Sequence, residues 1–287
     1  MAGPLYTIQE GYNPLLLISV HEGRHIPEQL HDGSGRPLGI SDRSDLDRHI
    51  ALDLGAGELT THLAELTNAY VFRVTHSRLV ADLNRYDDEV ECIAPAADGT
   101  EIPLNRLLTK QERTLRLDEF YFPALKALKA FVAEVALRLG AEPFVISMHS
   151  YARIQKRNPE PKSEDVCVFG YPEFGTSPNL QNFVQQLRSH NPRLVIGNNR
   201  PFSARTPGLQ TSKDDYRLAC PVTFQNVVER DNVFNHFCLE VCQDLLKTSD
   251  AQRYMAKQIS NALAAAIGLK AQSAGRPAPA LAFSRHG

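Results

Sequence analysis

The sequence predicts an α/β protein built on a mixed, mostly parallel sheet flanked by helices. Three apolar runs carry that reading, because each ends in a side chain suited to hydrolytic chemistry. LLLISV (15–20) delivers His21, FVISM (144–148) delivers His149, and VTFQNVV (222–228) delivers Glu229. Open α/β sheets gather ligands at the carboxyl ends of their strands, so distant segments can converge on one crevice. A strong helical stretch over 118–139 followed at once by the strand 144–148 adds the helix-to-strand alternation typical of such sheets. The chain shows no internal repeat and no dividing linker, so residues 1–270 read as one catalytic α/β domain and 271–287 as a disordered tail.

After the first strand, residues 25–45 form a polar loop punctuated by Gly and Pro. The spacing of Ile50, Leu54, Leu59, Leu63 and Leu66 predicts a helix from about Leu46 to Leu66. AYVFRV (69–74) and RLVADL (78–83) read as strands, and the pattern then weakens into loop over 86–113. The helix at 118–139 has an acidic start, Pro123 early in its course and Gly140 just past its end, as helix termini favour. A charged loop follows the 144–148 strand. Beyond it come a strand at 166–170, a helix near 178–190 and a strand near 193–197. The loop 198–215 is too polar for core and long enough to suggest function. The last core strand, 222–228, leads to helices at 233–247 and about 250–268.

Composition narrows the function classes. With 31 basic and 33 acidic residues the net charge is −2, which gives no bulk attraction to nucleic acid or anionic membrane. No apolar run is long enough to span a bilayer, and the first residues lack the basic start and apolar centre of a signal peptide. Five scattered cysteines, Cys92, Cys167, Cys220, Cys238 and Cys242, argue against a disulfide framework and for a reducing cytoplasm. Cys238 and Cys242 fall four apart on the expected 233–247 helix, a spacing that suits either a shared metal or buried packing; packing is the simpler reading.

Two imidazoles and a carboxylate meeting at strand ends would suit a metal and the base that works beside it. Each has a plainer reading too. His21 and His149 could be hydrogen-bonded strand-end residues, and Glu229 could pair with Arg230. Glu22 adjoins His21 and on extended backbone points the other way. His25 lies further into the loop and is a weaker candidate. Arg78, Asp82, Asn84 and Arg85 set two guanidiniums around an amide, a fork that matches a carboxylate, or an ordinary salt-bridged strand. His49 and Asp53, four apart on the expected helix, could face one site or solvent.

The order of these segments resembles the N-formylglutamate amidohydrolase family from about Pro14 to Leu246. The matching pieces are His21-x-Gly23 with Ile26-Pro27, His49-Ile50-Ala51-x-Asp53-x-Gly55-Ala56, Ser77-Arg78-Leu79-Val80-x-Asp82-x-Asn84-Arg85, His149-Ser150 and Glu229-Arg230-x-Asn232. Each piece is weak alone; five in order are specific. The family is similar in fold and metal chemistry to the zinc carboxypeptidases and the succinylglutamate desuccinylases. The resemblance therefore implies a carboxypeptidase-like (phosphorylase/hydrolase-like) sheet. It implies zinc held by His21 and His149, with Glu229 as general base. It also implies Asn84 and Arg85 on the substrate α-carboxylate, and Arg78 or Arg230 on the oxyanion or substrate.

The carboxypeptidase pattern has a Glu three residues after the first His, where this chain has Arg24. Asp53 is taken as the third ligand, with Glu22 and His49 as alternatives. The implied reaction is zinc-dependent hydrolysis of N-formyl-L-glutamate to formate and glutamate, a step resembling histidine breakdown. The alternatives are a related zinc amidase or peptidase acting on another N-acyl amino acid or peptide, and a non-catalytic metal- or ligand-binding homologue. The partner is a small N-acyl amino acid, and oligomeric state is not legible.

Overall fold

The computed structural model describes residues 3–156, 159–170, 178–201, 203–204, 218–219 and 236–269. Its frame is a seven-stranded sheet. In chain order the elements are β1 (Tyr6–Gln9), β2 (Leu15–Ser19), α1 (Ala56–Thr67), β3 (Tyr70–Val74), α2 (Lys110–Arg116), α3 (Phe122–Leu139), β4 (Phe144–Tyr151), β5 (Val166–Phe169), α4 (Pro178–His190), β6 (Ile196–Asn198), β7 (His236–Cys242) and α5 (Ser249–Ile267). The strands lie in the order β1-β3-β2-β4-β7-β5-β6. β3, β2, β4 and β7 run parallel, while β1 is antiparallel at one edge and β5 runs antiparallel to β7. The sheet is mixed and mostly parallel, as the strand runs predict.

Helices cover both faces. On one, α1, α4 and α5 bury Leu59, Leu63, Phe183, Ile259 and Leu263 against Leu15, Leu17, Ile146, Met148, Phe237 and Leu239. On the other, α3 packs Leu128, Phe131 and Val135 onto Leu16, Ile18, Tyr70 and Phe72. Burying such side chains stabilises the fold by roughly 1.5–3 kcal/mol each. Helix α3 ends at Gly140 in the left-handed conformation (φ 63°), as its sequence predicts. Its start differs: a wider π turn over Leu117–Tyr121 joins it to α2, which opens on a capping box between Thr109 and Glu112. That capped helix, with a small hairpin at Ala96–Ala97 and Thr100–Glu101, occupies ground the sequence leaves as loop.

Three expected elements are corrected. The helix predicted over 46–66 exists only as α1. Its first half is held out of helix by turns: the Asp53 N–H donates to the His21 carbonyl at 2.9 Å, and Arg48 is tied to Asp45 and Asp98. Gly55 then enters α1 at φ 78°, where an added Cβ would come within 2.6 Å of Leu246 Cβ, so glycine is required there. The 78–83 strand is a run of turns whose Leu79, Val80, Ala81 and Leu83 are nonetheless buried. Asp82 accepts the Asn84 N–H at 2.8 Å, closing a local turn that competes with strand pairing.

The 233–247 helix is replaced by β7, buried along its whole length between β4 and β5. HFCLEVC alternates His236, Cys238, Glu240 and Cys242 with Phe237, Leu239 and Val241, a period of two. Residues four apart share a face in a strand as in a helix, so the Cys238–Cys242 spacing does not discriminate; both thiols are buried in β7. The predicted helix at 250–268 is present as α5, capped by Thr248. The 222–228 strand, Cys220 and the 271–287 tail lie outside the described residues. So does most of the 198–215 loop, of which Ser203–Ala204 pairs in parallel with Leu218–Ala219.

Candidate metal centre

Parallel pairing in register sends opposite residues to the same face of a sheet. Leu16 and Ile18 on β2 stand opposite Val145 and Ser147 on β4, and Cys238 and Glu240 on β7 stand opposite Ser147 and His149. His149 and Glu240 thus share the face that α3 covers further along. His21 follows β2 at the same end of the sheet. Asp53 reaches them from the loop before α1, held by backbone bonds from Asp53 N to the His21 carbonyl and from Ala56 N to its own carbonyl.

The result is a buried group of His21, Asp53 and His149 whose ligand atoms all lie within 4.8 Å of one another. Asp53 Oδ2 is 2.9 Å from His149 Nδ1 and 3.4 Å from His21 Nδ1. The rings of His21 and His149 lie 4.9 Å apart, edge to face. His21 Nε2 is anchored by Asp82 Oδ1 at 2.6 Å, which leaves Nδ1 facing the centre, buried and without a hydrogen-bond partner. A carboxylate on the far nitrogen is how metal-bound histidines are commonly oriented. Burying an imidazole nitrogen without a partner is costly, and a divalent metal would satisfy it. The three side chains therefore fit a metal by their donor chemistry.

Electrostatics agree with that fit. Burial alone would raise the Asp53 carboxyl, but His21 and His149 hold it well below the ordinary carboxylate range. Burial and Arg78 oppose protonation of His21, yet Asp82 and Asp53 outweigh them and raise its pKa. The carboxylates of Asp53 and Asp82 thus favour positive charge at that centre.

The other candidates are placed as follows. Glu22 turns away and pairs with Arg73 at 2.7 and 2.9 Å on the opposite side of the sheet. His49 Nε2 lies 3.2 Å from Asp98 rather than in the group, and the helix expected to align it with Asp53 is absent. His25 is in a bridge with His76. Arg78 lies against both Asp53 and Asp82. Asn84 and Arg85 follow directly. Arg85 Nη1 donates to the Asn84 carbonyl at 2.9 Å, and Tyr121 Oη donates to the Arg85 carbonyl at 2.9 Å. Glu229, Arg230 and Asn232 lie outside the described residues.

One group was missed by sequence reasoning. Glu240 is a carboxylate in the middle of the sheet, directly opposite His149 and only 8% exposed. Burial pushes its pKa up to about 7; His149, Arg78 and Arg85 work against that rise and Asp53 adds to it. The signal was the period-two pattern of 236–242, which puts the one acid of that run on the face carrying His236 and Cys238.

The fold has counterparts among known structures. The chain superimposes on the gene product Atu2144 of Agrobacterium tumefaciens with a TM-score of 0.76 at 19% identity, covering 93% of this chain and 96% of that one. It also matches the N-formylglutamate amidohydrolase of Ralstonia eutropha JMP134 with a TM-score of 0.59 at 19% identity, covering 92% and 97%. At such identities the likeness speaks for the fold. No curated protein sequence matches the chain. The family model for N-formylglutamate amidohydrolase matches residues 13–246, a span that contains every residue of the buried His-Asp-His group. This chain belongs to the N-formylglutamate amidohydrolase family.

Proposed function

We propose that the protein is a zinc-dependent amidohydrolase that cleaves N-formyl-L-glutamate to formate and L-glutamate in the cytoplasm. The observation that carries the reading is the placement of Asp53 Oδ2 between the Nδ1 atoms of His21 and His149, with the far nitrogen of His21 fixed by Asp82. Two imidazoles and one carboxylate are a donor set suited to catalytic zinc. Bound there, zinc would act as a Lewis acid that polarises the scissile carbonyl and makes water more acidic.

The chain's own groups divide the remaining work. Glu240, beside His149 and with its pKa near neutrality, accepts a proton from the attacking water. The water oxygen bonds to the formyl carbon, the C–N bond breaks, and Glu240 returns the proton to the leaving nitrogen. Products are formate and the free amino group. In this reading the base role assigned by resemblance to Glu229 passes to Glu240. Asn84 and Arg85 hold the substrate α-carboxylate and fix the amide over the site, since a guanidinium fork matches a carboxylate. The cytoplasmic placement is supported by the buried thiols Cys92, Cys238 and Cys242, none of which is in a disulfide.

Metal analysis of the purified protein, joined to a panel of N-formyl, N-acetyl and N-succinyl amino acids, tests the proposal. Zinc at one per chain and fastest turnover of N-formyl-L-glutamate are expected, with both metal and turnover lost in His149→Ala. Preference for another acyl group or amino acid would replace the substrate. Full activity in metal-free His149→Ala protein would sink the zinc reading.

A further inference from the structure

The two oxygens of Asp53 are held differently. Oδ2 faces the two imidazoles, at 2.9 Å from His149 Nδ1 and 3.4 Å from His21 Nδ1, and accepts the Ser150 N–H at 3.3 Å. Oδ1 is turned the other way and accepts from Arg78 Nη1 at 3.3 Å. The same guanidinium donates through Nε and Nη2 to Asp82 Oδ2, at 3.1 and 2.7 Å. Asp82 Oδ1 in turn meets His21 Nε2 at 2.6 Å. Four side chains thus close a ring from Asp53 through Arg78, Asp82 and His21 back to Asp53.

The Asp53 backbone is already pinned on both sides by His21 and Ala56. What it retains is rotation of the carboxylate about its own bond. Carboxylates bind metals through one oxygen or two, and rotation would bring Oδ1 in beside Oδ2. A second oxygen would occupy coordination space that a catalytic zinc needs for reactants. The planar guanidinium is suited to prevent this, because it binds two carboxylates at a fixed angle where an ammonium holds only a point.

We propose that Arg78 is a positioning residue that keeps Asp53 a one-oxygen ligand and ties that orientation to His21 through Asp82. The proposal rests on the metal-centre reading above. It gives Arg78 a role beyond the stabilisation of charge on the substrate that the family resemblance implies.

Cobalt(II) reports coordination number directly, since its visible absorption is intense with four donors and weak with five or six. Wild-type protein and Arg78→Gln loaded with cobalt(II) are compared. An intense wild-type band that falls severalfold in Arg78→Gln, and partly in Arg78→Lys, is the expected result. A band of unchanged shape and intensity in Arg78→Gln, whatever happens to turnover, would overturn the proposal and leave Arg78 acting on substrate alone. If Arg78→Gln does not fold, Arg78→Lys decides by the same comparison, because it keeps the charge but cannot span both carboxylates. Failure of the wild type to take up cobalt or zinc would defeat the metal-centre reading itself, so the two failures are distinguishable.

Discussion

One face of the central sheet is built in two chemistries. Over β3 and β2 it presents Tyr70, Phe72, Leu16 and Ile18 to the apolar side of α3. Over β4 and β7 it presents Ser147, His149, His236, Cys238 and Glu240, all buried. The backbone pairing is the same across the boundary, so pairing does not make the difference. The side chains on the outward beat of the strand make it: β4 begins that face with Val145 and continues with Ser147 and His149. The apolar half stabilises the fold by area removed from water. The polar half carries groups whose burial costs stability unless each finds a partner, and that cost is what makes them chemically useful.

Exchanging the acid of the polar half should break this contrast most. Glu240→Gln keeps the volume and one acceptor oxygen but cannot accept a proton. It is expected to retain the metal and to lower kcat by about 10²–10⁴-fold, the range general-base catalysis supplies. The companion variant Glu229→Gln should leave most turnover intact. The opposite pattern, with Glu229→Gln inactive and Glu240→Gln active, would return the base to Glu229 and leave Glu240 a structural acid.

Arg85→Ala probes the rim of the same half. A hydrogen bond to a charged group contributes about 1.5–3 kcal/mol, so KM for acidic N-acyl amino acids should rise about 10–100-fold, read from initial rates across substrate concentration. Zinc content should not change, because Arg85 is outside the His-Asp-His group. An unchanged KM would remove Arg85 from substrate binding.

The two halves were not equally legible in the sequence. β2 and β4 are apolar runs bounded by turns, and their ends gave His21 and His149 directly. α3 announced itself by its length and by Gly140. β7 did not, because alternate His, Cys and Glu weaken the apolar run, and residues four apart share a face in both a helix and a strand. Its misreading hid Glu240. Asp53 was legible from its spacing to His49, on a helix that does not form, and as part of an ordered motif; its approach to the histidines depends on backbone bonds to His21 and on Gly55 fitting under Leu246, which no local pattern encodes. The 78–83 segment has strand-like composition, but the Asp82 side chain satisfies the Asn84 N–H locally and the strand does not form.

Two histidines sharpen the comparison on a finer scale. His21 lies among carboxylates, and its pKa is raised. His76 lies against Phe120, with ring centroids 5.8 Å apart, and burial followed by the charge of His25 pushes its pKa down to about 4 from 6.5. The same side chain, equally hidden from water, moves in opposite directions because His21 has two carboxylates against its ring nitrogens, at 2.6 and 3.4 Å, whereas for His76 the charge of Asp82 does not offset burial. For His76 the sign is fixed: the folded state binds the proton more weakly than the unfolded chain. The stability it permits is therefore complete above pH 6.5 and is lost as pH falls through the window towards 4. Each pKa unit corresponds to about 1.4 kcal/mol, and local opening relieves part of it, so His76→Gln should flatten the acid limb by about 1–2 kcal/mol. Denaturant unfolding of metal-free wild type and His76→Gln at pH 7.5 and pH 4.5 measures this. The difference between the two proteins should shift in favour of His76→Gln at the lower pH. An identical loss in both would mean that His76 takes up its proton without strain, and that the apolar half tolerates charge as well as the polar half does.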